Sequence, residues 1–138
     1  MAERRTIEQM YNIDPLARKP IYEQIIDQLE LFISTGAFKP GDRIPSVRAV
    51  STSSGVNPMT ILKAYGELDS RGVICSVPGR GYFVSEGAKE KIAEAKMDGL
   101  GELKGQIAAL CRLGVPKDSV YALVDEAYGE TTAGGDTL

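Results

Sequence analysis

Apolar residues in the first half of the chain recur at helical spacing, interrupted by glycine and proline at regular places. From Pro20, a favourable first-turn residue, Tyr22, Ile25, Ile26, Leu29, Phe32 and Ile33 trace one face of an amphipathic helix of about four turns that stops at Gly36. Lys39-Pro40-Gly41-Asp42 has turn composition. Ser46 is placed to cap a short helix carrying Val47 and Val50 inward, and that helix ends near Gly55. Asn57 then caps a third helix, with Pro58 at its first position and Ile61, Ala64, Tyr65 and Leu68 on a buried stripe up to Gly72. Val73-Ile74-Cys75-Ser76-Val77 reads as a strand, Pro78-Gly79-Arg80-Gly81 as a turn and Tyr82-Phe83-Val84 as the returning strand. Three helices, the last two joined by a tight Gly55-Val56 turn, followed by a hairpin with a basic tip, describe a winged helix-turn-helix.

Beyond Glu86 the pattern changes. Met97, Leu100, Leu103, Ile107 and Leu110 predict a helix that stops at Gly114, and Val120, Leu123, Val124 and Ala127 a second, shorter one after Val115-Pro116. Two helices of this length cannot enclose a core, so Leu100, Leu103, Ile107, Leu110, Val120, Leu123 and Val124 are expected to meet the same segment of a second chain. The fold class is therefore mostly α with a small β hairpin: a winged helix-turn-helix plus a C-terminal two-helix dimerisation hairpin. The divisions are an N-terminal extension (1–12), the winged domain (13–85), the helical hairpin (86–128) and a tail (129–138) whose Gly134-Gly135 and scarcity of large apolar residues predict disorder.

The net charge of −3 speaks against nucleic acid only if charge is evenly spread. Arg18 to Val84 carries eight basic and six acidic residues, whereas the remainder carries eight and thirteen. Between Arg43 and Gly66 stand Arg43, Arg48 and Lys63 and no carboxylate at all. The absence of histidine removes His-based triads, general bases and metal sites. With no nucleophile–base pair apparent, no enzyme, metal or cofactor is expected. Cys75 and Cys111 are too far apart in sequence for a C-x-x-C motif; they predict a reducing cytoplasm and small buried apolar side chains. No apolar stretch is long enough for a signal peptide or a membrane span.

With its stripe inward, the third helix shows Met59, Leu62, Lys63 and Gly66 on the opposite face, with Thr60 at the boundary. That face suits a groove in double-stranded DNA. Asn57 and Pro58 are expected to leave the helix N-terminus open toward a phosphate, and Lys63 to reach backbone or base edge. Arg43 and Arg48 flank the cap of the second helix, where they can neutralise phosphates. The Gly79-Arg80-Gly81 tip allows close approach of amides and one guanidinium, although the same glycines also serve an ordinary hairpin turn. A dinucleotide motif is excluded, since Val84 stands where its third glycine belongs and a strand follows. The rival reading is a winged-helix protein-interaction module in which Met59 and Leu62 touch a protein.

The runs Ile13-Asp14-Pro15, Pro20-Ile21-Tyr22-Glu23-Gln24-Ile25 and Lys39-Pro40-Gly41-Asp42-Arg43-Ile44-Pro45-Ser46-Val47-Arg48 resemble a GntR-family regulator. Gly55-Val56-Asn57-Pro58-Met59-Thr60-Ile61, Lys63-Ala64-Tyr65 and Gly79-Arg80-Gly81-Tyr82-Phe83-Val84 are similar to its small YtrA-type subfamily. The resemblance implies a bacterial homodimeric transcription factor, usually a repressor. By motif position it implies DNA contacts from Arg43, Arg48, Asn57, Pro58, Thr60, Lys63 and Gly79; Ser46, Met59 and Arg80 complete the candidate set. Only residues 85–138 follow the wing, too few for the effector domain of larger relatives, so no enclosed ligand pocket is expected and the effector stays open. Ser51 and Ser54 depart from the family's alanine and leucine, which predicts looser packing of the second helix. Leu62 stands where relatives often carry Gln or Arg.

Overall fold

A computed structural model describes residues 11–135, with side chains through Gly129. Helix α1 (Ile21–Ser34) follows Pro20 and packs Ile25, Ile26, Leu29 and Ile33 into the core. Helix α2 (Val47–Ser54) is capped by Ser46, whose Oγ accepts the Ala49 N–H at 3.0 Å, and ends at Gly55 in the left-handed region at φ 76°. Helix α3 (Pro58–Ser70) lays Ile61, Ala64, Tyr65 and Leu68 against α1 and α2, all four fully buried. The expected stripe is the observed one.

Strands β1 (Ile74–Val77) and β2 (Gly81–Val84) form an antiparallel hairpin pairing Ile74 with Val84 and Val77 with Gly81. The Arg80 N–H donates to the Val77 carbonyl at 2.9 Å across a turn with Pro78 second and Gly79, at φ 78°, third; this is type II geometry. On its other edge β2 is bonded to the segment before α2: Gly41 N–H to Val84 O, Val84 N–H to Asp42 O and Ile44 N–H to Tyr82 O. The wing is thereby tied to the entrance of the helix-turn-helix.

Helix α4 (Ala88–Asp98) corrects the expected boundary at residue 85. Ala88 and Ile92 are buried in the same core as α1–α3, and the first compact unit runs to Ala95. The second unit, from Lys96, contains α5 (Leu100–Arg112) and α6 (Lys117–Gly135). Met97 falls in α4 and Leu100 in α5, divided at Gly99; α5 ends just before Gly114, at φ 88°. Helix α6 continues to Gly135, through most of the segment expected to lack structure, because Glu130 to Ala133 carries no helix breaker. Residues 136–138 of the tail and 1–10 of the N-terminal extension lie outside the described residues.

Tyr11 and Asn12, also assigned to that extension, belong to the fold. Asn12 exchanges two hydrogen bonds with the Gln28 amide, at 2.7 and 2.8 Å. Asp14 does the same with Gln24, at 2.9 Å each, and Gln24 Nε2 also donates to the Lys19 carbonyl. Two glutamines one turn apart thus bind an extended segment along α1. Both cysteines are exposed, against expectation. Cys75 lies on an uncovered face of a two-stranded hairpin, and Cys111 on a helix that buries nothing within its own unit.

Candidate nucleic-acid interface

The interface is built around α2, the turn at Gly55-Val56, α3 and the wing. The turn is fixed by side chains that sequence patterning reads as poor packers. Ser51 Oγ donates to the Val56 carbonyl at 2.7 Å, Ser54 Oγ donates to the Val50 carbonyl at 2.6 Å, and the Val56 N–H donates to Ser54 Oγ. The serines tie the turn's backbone polar groups with hydroxyls, where alanine and leucine would supply only apolar contact.

Arg43 is exposed at the junction of α2 and the wing, bridged to Phe83 through the backbone. Its guanidinium lies over Gly81, where a Cβ would come within 3.2 Å of Nε, and Gly81 holds φ 112°. Gly81 is therefore needed both for its backbone conformation and for the space Arg43 occupies. The sequence marks it as the second glycine of a Gly-x-Gly tip, but not as the seat of the Arg43 side chain. Arg48 on the first turn of α2 and Arg80 at the wing tip are exposed.

On α3 the placement is more selective. Asn57 Oδ1 accepts the Met59 N–H at 2.9 Å and the Asn57 carbonyl accepts the Thr60 N–H at 2.9 Å, while Pro58 has no N–H to offer. These first-turn donors are occupied, so the expected opening toward a phosphate is not formed there. Pro58 is exposed and Thr60 half-buried. Lys63 directs its ammonium onto the ring of Tyr22 from α1, 4.0 Å from the centroid, a cation–π contact invisible to helical spacing. Met59 and Leu62 remain outward, 68% and 43% exposed.

Beneath this surface runs a chain of hydroxyls. Tyr65 donates to the Pro45 carbonyl at 2.8 Å, so its single proton is used. The Tyr11 hydroxyl, 3.2 Å away, must therefore donate to Tyr65 Oη. Burial pushes both phenols above the usual 10.0, with their mutual contact adding to the rise at Tyr11. Tyr82 stacks edge-on against Tyr65 at 5.0 Å, joining wing, α3 and the Pro45 loop in one packed cluster. Among the described residues no group of His, Cys, Asp or Glu could hold a metal, and no helix is long and apolar enough to cross a membrane.

A helix-turn-helix whose run from Arg43 to Gly66 holds three cations and no carboxylate, followed by an arginine-bearing wing, defines a winged helix-turn-helix regulator. Residues 21–84 match the family described as bacterial regulatory proteins, gntR family. The chain is 40% identical over 126 residues to the HTH-type transcriptional repressor YtrA of Bacillus subtilis (strain 168), an alignment covering 91% of this chain and 97% of that one. Its fold is similar to that of a GntR family transcriptional regulator from Listeria monocytogenes, with a TM-score of 0.64 and 35% identity over 83% of this chain and 98% of the other. It is also similar to a transcriptional antiterminator from Listeria monocytogenes EGD-e, with a TM-score of 0.68 and 33% identity over 88% and 91% of the two chains. The chain belongs to the GntR family, in its YtrA-type branch.

Proposed function

We propose that this chain is a cytoplasmic, homodimeric transcriptional repressor that binds an inverted-repeat operator in double-stranded DNA. The observation that carries the reading is the surface from Arg43 to Gly66, which holds three cations and no carboxylate and is linked to the wing where Arg43 crosses Gly81. In this reading Arg43, Arg48 and Arg80 neutralise phosphates, Gly79 lets the wing backbone approach, and Asn57, Pro58, Met59 and Thr60 bring the start of α3 to the major groove. Ser46 acts by capping α2. Lys63 reaches DNA only by leaving Tyr22.

Leu100, Leu103, Ile107, Leu110, Leu123 and Val124 of α5 and α6 stay between 37% and 61% exposed in the single chain, and Val120 is half-buried. An apolar groove of about 390 Å³ runs between these helices, lined by Ile107, Cys111, Val115, Val120, Tyr121 and Val124. This much exposed apolar surface supports a two-fold contact between copies of the chain. Two recognition helices so paired meet half-sites about 10 bp apart, centre to centre. Footprinting on the promoter of its own gene tests the reading: a symmetric protected repeat is expected, and no protection overturns it.

The exposed Met59 and Leu62 favour a second reading, a protein-interaction module. Salt-insensitive partner binding with no affinity for DNA is its signature.

A further inference from the structure

We infer that Met59 and Leu62 form a methyl-reading surface on α3 that selects thymine in the major groove. The inference rests on the DNA-binding reading above and adds the base that the helix prefers. Met59, Leu62 and Gly66 share the face of α3 opposite its buried stripe, one turn apart. The two large side chains are 68% and 43% exposed, and nothing lies within 4 Å of the position a Cβ would take on Gly66. The face therefore presents two flexible apolar side chains followed by a low step against which a groove wall fits.

Two polar groups of α3 that could read bases are engaged within the chain. Lys63, the cation of this face, sits over Tyr22, and the Asn57 side-chain oxygen caps the helix. Guanine offers acceptors to a cation and adenine offers a donor–acceptor pair to an amide, whereas thymine alone adds a methyl group to the major-groove edge. An apolar pair on a recognition helix gains free energy from that methyl by excluding water from it. A protein partner could also cover these side chains, but the run from Arg43 to Gly66, with three cations and no carboxylate, and the wing arginine complement a polyanion.

The test begins by letting the full-length chain select duplexes from a randomised pool. Each thymine of the selected half-site is then replaced in turn by deoxyuridine, which deletes only the 5-methyl group. At one or two thymines the unaltered protein should bind about fourfold more weakly, the transfer value of one methyl group. At those positions Leu62→Ala or Met59→Ala should bind the thymine and uracil duplexes alike, with circular dichroism melts verifying that each variant is folded. Tolerance of uracil throughout overturns the inference, as does a selected half-site without thymine. A uracil penalty that persists in both variants also overturns it, because the methyl group then acts through DNA shape. If one variant fails to fold, the thymine–uracil comparison on the other decides between side-chain contact and DNA shape. If no duplex is selected at all, the DNA-binding reading falls and takes this inference with it.

Discussion

Tyr65 is where the interior meets the binding surface: its ring is fully buried, its hydroxyl holds the Pro45 carbonyl just before the α2 cap, and it accepts from Tyr11. Tyr65→Phe leaves that carbonyl without its partner and should cost about 1–3 kcal/mol in urea denaturation. The two phenols also make a statement about pH. Both stay protonated in the folded chain above the unfolded value of 10.0, since burial disfavours the phenolate. Their contribution is complete below pH 10.0 and is lost as pH rises toward the elevated folded values. Denaturation from neutral pH upward should show stability falling beyond 10.0, and the fall should be shallower in Tyr11→Phe and Tyr65→Phe. A slope unchanged by both substitutions would place the alkaline sensitivity elsewhere. Simple capping acts at Ser46 and Asn57, where alanine should cost about 1 kcal/mol each.

Among elements, the wing offers a paired comparison. Gly79 and Gly81 both have positive φ, but only Gly81 faces a neighbour, the Arg43 guanidinium. Alanine at either position should destabilise by about 1–3 kcal/mol through backbone strain. If Arg43 contacts phosphate, Gly81→Ala should also weaken DNA binding, because it displaces that side chain, and should add little in an Arg43→Ala background; a full further loss in that background would deny Arg43 the role. The elements legible in the sequence were those fixed by local chemistry: the Ser46 and Asn57 caps, the Gly55 stop, the Pro78-Gly79 turn and the α3 stripe. What escaped depends on partners distant in sequence. Lys63 looked free because Tyr22 lies on another helix, and nothing in the helical spacing marks Gln24 and Gln28, whose partners belong to an irregular segment. Ala88 and Ile92 fell within the expected helical hairpin (86–128), yet their core is contributed by the preceding helices.

At the scale of the whole molecule, the described chain is two units with different needs. The first buries its own core, whereas α5 and α6 leave large apolar side chains exposed. Dimerisation through those helices predicts that Leu103→Glu combined with Ile107→Glu gives a monomer in sedimentation velocity while the first unit keeps its fold. A variant that stays dimeric would place the interface on other residues. The central claim is that the acidic chain binds DNA through a few arginines confined to one surface, and salt titration of the full chain against its operator tests it most directly. With Arg43, Arg48 and Arg80 on phosphates in each of two protomers, log affinity should fall against log salt concentration with a slope of about −5 to −8, less steep by about 2 in Arg43→Ala. A slope near zero would contradict the account.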